Sequence, residues 1–171
     1  MRGFCRLDDG RKIADPCSIV IFGASGDLTA RKLIPALYHL FCEKQMPPSF
    51  RVVGVARREK TDDSWREELK VGLEQFSRTK SVDTDRWNEF AANLHYCRGD
   101  ITEPETYSKL RKILKGFEEE PVRRNILYYL AVSPTQFAGV AEQLHSAKLL
   151  ERQEPDTDAK FWQRIVVEKP F

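Results

Sequence analysis

Short apolar runs that alternate with helix-period segments predict an α/β fold, a doubly wound and mainly parallel sheet with helices on both faces. Three observations carry this reading. Five runs of strand length recur, at residues 18–22, 51–56, 94–98, 125–131 and 164–168. Stripes of apolar residues at helical spacing lie between them: Trp65, Leu69, Leu73 and Phe76; then Tyr107, Leu110, Leu114 and Phe117; then Phe137, Val140, Ala141 and Leu144. The first run empties into a turn of small residues, which is how a buried parallel strand hands over to a helix.

In chain order, residues 1–16 are polar and unpatterned and read as a tail, which leaves 17–171 as one domain. The first strand, with Ile19, Val20, Ile21 and Phe22 in succession, reads as buried on both faces. Its turn holds Gly23, Ala24, Ser25, Gly26, Asp27 and Leu28. Such a turn exposes backbone N–H groups, and the following helix adds its positive end, so the pair suits a pyrophosphate. The spacing is G-x-x-G rather than G-x-G-x-x-G, because Ser25 and Leu28 stand where further glycines would fall. Gly23 then supplies the tight turn, Gly26 the close backbone approach, and Asp27 a carboxylate that caps the first helical turn. On the glycines alone, a phosphate turn and a plain strand-to-helix turn stand side by side. No G-x-x-x-x-G-K-S/T string occurs, so a P-loop is excluded.

Pro35 places the start of the regular helix near Ile34, or a kink there, because proline within a helix loses a hydrogen bond and clashes with the turn before it. Arg31 and Lys32 then sit at the helix entrance, as cations beside the turn or as a solvated basic pair. At the end of the second strand a cofactor site that takes NAD usually carries an acid for the ribose 2′-hydroxyl. This strand ends Ala56-Arg57-Arg58, and two guanidinium forks suit a phosphate monoester. NADP is therefore the expected coenzyme, with Arg57 as the main contact of its 2′-phosphate and Arg58 as the weaker one.

Residues 82–92 read as a further short helix, and the third strand ends at Gly99-Asp100-Ile101. Asp100 either accepts from the ribose or adenine, or caps the helix that Thr102-Glu103-Pro104 begins. After the fourth strand, Ser133 reads as a cap with Pro134 at the first helical position. Residues 151–160 read as a polar loop before the last strand.

Composition bounds the partners. With 41% hydrophobic and 32% charged residues, the 171-residue chain is a soluble domain of ordinary size. A net charge of +2 with scattered basic pairs argues against nucleic acid. No apolar run is long enough for a bilayer and no signal peptide opens the chain, so a cytoplasmic location is expected. Cys5, Cys17, Cys42 and Cys97 show no C-x-x-C spacing, so neither metal nor disulfide is expected, and Cys17 and Cys97 read as small core residues. His39, His95 and His145 form no catalytic set, and no Tyr-x-x-x-Lys pair exists.

The string from Gly23 to Pro35 resembles the G-A-S/T-G-D-L-x-x-R/K-K-L-x-P signature of glucose-6-phosphate dehydrogenases. Val53-Gly54-Val55-Ala56-Arg57 is similar to that family's V-G-x-A-R. Tyr129-Leu130-Ala131-Val132-Ser133-Pro134 is similar to its Y-L-A/S-x-x-P, and Val167-Glu168-Lys169-Pro170-Phe171 to its V/M-E-K-P-F/L. The resemblance implies a Rossmann-like coenzyme domain of an enzyme that oxidises glucose 6-phosphate to 6-phosphogluconolactone with NADP, the first step of the pentose phosphate pathway. It further implies coenzyme contacts from Asp100 and Ile101, a nicotinamide-side turn at residues 131–134, and Lys169 between substrate and nicotinamide with a cis bond to Pro170. Lys32 takes a place near the substrate phosphate. Where some members carry a tyrosine three residues after the proline of the third motif, this chain has Phe137.

The chain stops inside the fourth motif, ahead of the substrate domain whose R-I-D-H-Y-L-G string carries the catalytic base in this family. The expectation is therefore a coenzyme half with no catalytic residue of its own and no turnover alone. Family members dimerise through the domain that is absent, so association of this chain is left open. The alternative is a non-catalytic NADP-binding sensor or regulatory module, similar to reductase relatives that open with G-A-S/T-G. Such modules have no reason to carry Glu168-Lys169-Pro170.

Overall fold

A computed structural model describes residues 13–76, 82–151 and 161–168. Lys169, its bond to Pro170, Cys5, most of the tail and nearly all of the polar loop lie outside the described residues.

Five strands form one sheet in the order β3-β2-β1-β4-β5: β1 (Cys17–Phe22), β2 (Phe50–Ala56), β3 (Leu94–Arg98), β4 (Ile126–Leu130) and β5 (Gln163–Val167). Every pairing is parallel. Each strand differs from its expected limits by two residues or fewer. The central β1 is buried along its whole length, which is why its sequence runs apolar without alternation. β5 is only partly covered, with Val167 half exposed at its end.

Helices α1 (Ile34–Cys42), α2 (Asp62–Phe76) and α3 (Thr84–Ala91) cover one face. Trp65, Leu69 and Leu73 of α2 pack there with Trp87, Phe90 and the β-strand residues Ile19, Ile21 and Val52. Helices α4 (Pro104–Lys115) and α6 (Phe137–Ser146) cover the other, where Tyr107, Leu110, Leu114, Val140 and Leu144 meet Val20, Phe22, Val53 and Tyr128. Cys17 and Cys97 are buried, as small core residues should be. A short α5 (Glu120–Arg124), opened by Pro121, went unread because its five residues span barely a turn and a half.

One stripe ends differently from its expectation. Phe76, in the last position of α2, is 43% exposed rather than core, and its ring instead lies under the Arg31 guanidinium at 4.5 Å.

The register brings Phe22 opposite Val55 and Leu130, Ala56 opposite Arg98, and Leu130 opposite Val167, so all five strands end along one rim. The direction in which successive strands are added reverses between β1 and β4. In open α/β sheets ligands bind at the carboxyl ends of the strands beside such a reversal. At the opposite rim a cavity of about 610 Å³ lies between Pro16, Phe41, Met46, Pro48 and Phe50.

Candidate functional site at the carboxyl rim of the sheet

Gly23 leaves β1 at φ +92°, a backbone that L side chains rarely adopt. A Cβ on it would stand 2.2 Å from the Ala131 carbonyl oxygen, so only glycine lets the β1 turn lie against the end of β4. The turn is tied down from within. Gly23 and Ala24 donate to the Val55 carbonyl at 3.0 and 3.1 Å, while the Gly23 carbonyl accepts from the Gly26 amide at 2.9 Å and the buried Thr29 hydroxyl at 3.0 Å.

These bonds use the amides of Gly23, Ala24 and Gly26 and leave others over. Among the described residues, no acceptor meets the N–H groups of Ser25, Asp27 and Leu28. Free amides at a helix start, together with its dipole, attract an anion. Gly26 does not share the positive φ of Gly23, and a Cβ there meets only the Gly23 carbonyl oxygen at 3.0 Å. Its lack of a side chain thus serves the open side of the turn more than the fold.

The helix entrance departs from regular geometry. Residues Thr29–Leu33 form a π-helical turn, closed by the Ile34 amide on the Thr29 carbonyl, and α1 begins at Ile34 with Pro35 in its first turn. Widening by one residue relieves the clash that Pro35 would make with the preceding turn. Asp27 does not cap the helix; its carboxylate pairs with Arg31 Nε at 2.5 Å, one turn on. Arg31 is thereby held by Asp27 and Phe76, whereas exposed Lys32 has no partner among the described residues.

At the ends of β2 and β3 the two predicted arginines and Asp100 come together. Arg57 is 81% exposed, with Nη1 4.0 Å from Asp100 Oδ2. Asp100 caps its own turn, accepting from the Thr102 amide at 2.9 Å and the Thr102 hydroxyl at 2.8 Å. Those bonds, and then Arg57, hold its carboxyl below the usual range. Asp100 does not cap α4, whose N-cap is Glu103 and carries no side-chain bond; its carboxylate instead closes the turn ahead of that helix through Thr102. Gly99 also has a structural reason: a Cβ would stand 2.2 Å from the Thr106 hydroxyl. Ile101 packs against the core and its carbonyl accepts from the Tyr107 hydroxyl at 2.6 Å.

After β4, Pro134 opens a single 3₁₀ turn, Pro134–Gln136, before α6. The Ser133 amide donates to Gln136 Oε1 at 3.3 Å. The third and fourth motifs meet across the sheet, where the Tyr129 hydroxyl donates to Glu168 Oε1 at 2.5 Å. Burial and that carboxylate push the phenol up to about 12, so it stays a donor. The three histidines lie on separate elements, α1, β3 and α6.

Two supporting residues escaped the sequence reading. Thr29 holds the turn through Gly23, and Tyr96 on β3 donates its hydroxyl to the Arg58 carbonyl at 2.8 Å. Nothing local marks either. Each acts through a contact that exists only once the strands are ordered.

A parallel α/β sheet with a glycine turn at its reversal, free amides at a helix start and cations at the next strand end defines a nucleotide-binding domain. The model of the family described as glucose-6-phosphate dehydrogenase, NAD binding domain, matches residues 20–171, and the chain belongs to that family. It is 40% identical over 157 residues to glucose-6-phosphate 1-dehydrogenase of Chlamydia pneumoniae, covering 91% of this chain and 30% of the relative. Against the Bacillus subtilis enzyme of the same name the identity is 35% over 154 residues, or 90% of this chain and 29% of that one. A solved structure of glucose-6-phosphate dehydrogenase in complex with its substrate glucose-6-phosphate superposes with TM-score 0.75 at 32% identity, covering 94% of this chain and 32% of that chain. The Mycobacterium avium enzyme gives 0.73 at 30% identity, with 91% and 30% covered. The chain spans about a third of the length of these relatives. A pyridine-nucleotide role follows from the family, and no described helix is long and apolar enough to cross a membrane.

Proposed function

We propose that residues 17–171 form the NADP-binding part of a glucose-6-phosphate dehydrogenase, which oxidises glucose 6-phosphate to 6-phosphogluconolactone in the cytoplasm. The observation that carries the coenzyme choice is the rim of β2, where Arg57 and Arg58 stand exposed and no acid occupies the usual ribose position.

In this reading Ser25, Asp27 and Leu28 donate their unused amides to the pyrophosphate, while Gly23, Ala24 and Gly26 keep the approach open. Arg57 meets the 2′-phosphate with Arg58 beside it, and the phosphate replaces Asp100 as counter-ion of Arg57. Asp100 and Ile101 border the adenosine half. When bound, the coenzyme supplies the hydride acceptor. This chain's part is to bind and orient, with Lys32, which has no partner among the described residues, facing substrate phosphate and Lys169 of the fourth motif, by the family resemblance, between substrate and nicotinamide. No described residue of the rim is assigned as the base that takes the hydroxyl proton, which the family resemblance puts in the substrate domain. In this reading the 171-residue chain, incubated with glucose 6-phosphate and NADP, yields no NADPH.

Calorimetric titration with NADP and NAD tests the reading. NADP should bind more tightly, and Arg57→Ala should remove most of the difference, on the order of 1.5–3 kcal/mol for a charge-assisted contact. Equal affinities in the unmodified chain would overturn the assignment.

A further inference from the structure

We propose that Tyr96 is a positioning residue for coenzyme selectivity: by holding the Arg58 carbonyl it fixes the β2–α2 turn that presents Arg57 to a 2′-phosphate. The proposal rests on the NADP reading above and names what makes its arginine effective.

Tyr96 ties the turn at both ends. Its hydroxyl donates to the Arg58 carbonyl at 2.8 Å, where the turn begins, and its amide donates to Asp62 Oδ1 at 2.7 Å, where α2 begins. The ring between these bonds is buried at 8% exposure and leans on Trp65, with centroids 5.5 Å apart. Arg98, two residues along β3, pairs with Glu59 at 3.1 Å, and Lys60 pairs with Glu68. The turn is thus held at the Arg58 carbonyl from β3, while the side chains of the next two residues pair with β3 and α2.

The partner of Arg57 is anchored as well. Asp100 is fixed by both donors of Thr102 and stands 4.0 Å from the guanidinium. Arg57 itself, 81% exposed, gains no packing that would order it. Its effective concentration at a phosphate therefore depends on how rigidly its backbone is held. A loosened turn spreads the guanidinium over many positions and weakens only the ligand that needs it. NAD presents a hydroxyl at that point, so its binding is indifferent to the turn.

The test is Tyr96→Phe, which keeps the buried ring and its contact with Trp65 and removes only the hydroxyl. Calorimetric titrations with NADP and NAD are made on the unmodified chain, Tyr96→Phe, Arg57→Ala and the double variant, with circular dichroism as a check on folding. Tyr96→Phe should weaken NADP about three- to tenfold, the factor that one net hydrogen bond carries, and leave NAD within about twofold. In the Arg57→Ala background the same change should have no further effect on NADP. An unchanged NADP-to-NAD ratio, an equal loss for both coenzymes, or a loss that persists without Arg57 would overturn the positioning role while leaving the NADP assignment standing. Equal affinities in the unmodified chain would remove both.

Discussion

Replacing Gly23 by alanine should destabilise this fold strongly. The position combines two penalties. At φ +92° an L residue is strained, by about 1–2 kcal/mol. Its Cβ would also lie 2.2 Å from Ala131 O and 2.9 Å from Ala131 C, backbone atoms that move only if β4 moves with them. Forced overpacking adds about 1–3 kcal/mol, for a total of about 2–5 kcal/mol. The bonds at stake are the Gly23 amide on Val55 and the two donors on the Gly23 carbonyl. For a chain of this length each kcal/mol lowers Tm by about 2–4 °C, so thermal unfolding should show a drop of roughly 5–20 °C. Gly139→Ala is the control. Apart from the backbone of α6 itself, no described atom lies within 4 Å of its added Cβ, and that change should stabilise by about 0.5–1 kcal/mol. A Gly23→Ala chain that melts with the unmodified one would refute the account of the β1–β4 crossing.

Gly26→Val should leave Tm nearly unchanged and raise the NADP dissociation constant at least tenfold, because its Cβ meets a single protein atom while its methyl groups fill the open side of the turn. Normal binding by this variant would make Gly26 a turn residue only. His95 should make stability fall on acidification: burial, above all, depresses its pKa from 6.5, Arg66 and Arg51 add to this, and Asp62 at 3.3 Å opposes it without prevailing. Its Nε2 is buried without an acceptor and its ring rests on Phe117, so the fold holds the neutral form. That stabilisation is complete above about pH 6.5 and is lost as pH falls through the depressed folded value, because the unfolded chain takes up the proton first. The Tm difference between pH 7.5 and 5.5 should therefore shrink in His95→Gln; equal differences would show that His95 is not the sensor.

What the sequence discloses depends on how far a residue's partner lies along the chain. The strands are legible because β1 and β2 are covered on both faces and must be apolar throughout, and the helices because Trp65, Leu69 and Leu73 repeat at the helical period. The turn is legible as a string. Its inner wiring is not: Asp27 has the chemistry of a cap but reaches Arg31 more readily, and nothing in the string shows that Thr106 of α4 fills the space beside Gly99. The role of Tyr96 toward Arg58 spans 38 residues and arises only from β3 pairing with β2. Phe76 shows the limit of periodicity, which gives the face of a helix and not whether its last residue is covered.

The claim on which everything else stands is that a dinucleotide lies on the β1 turn at the reversal of strand order. Amide chemical shifts during an NADP titration of the chain test it at single residues. The amides of Ser25, Asp27, Leu28, Arg57 and Arg58 should move and saturate together, while Phe41, Met46 and Phe50, around the cavity at the far rim, stay still. Saturating shifts at the far rim with a silent turn would contradict the account.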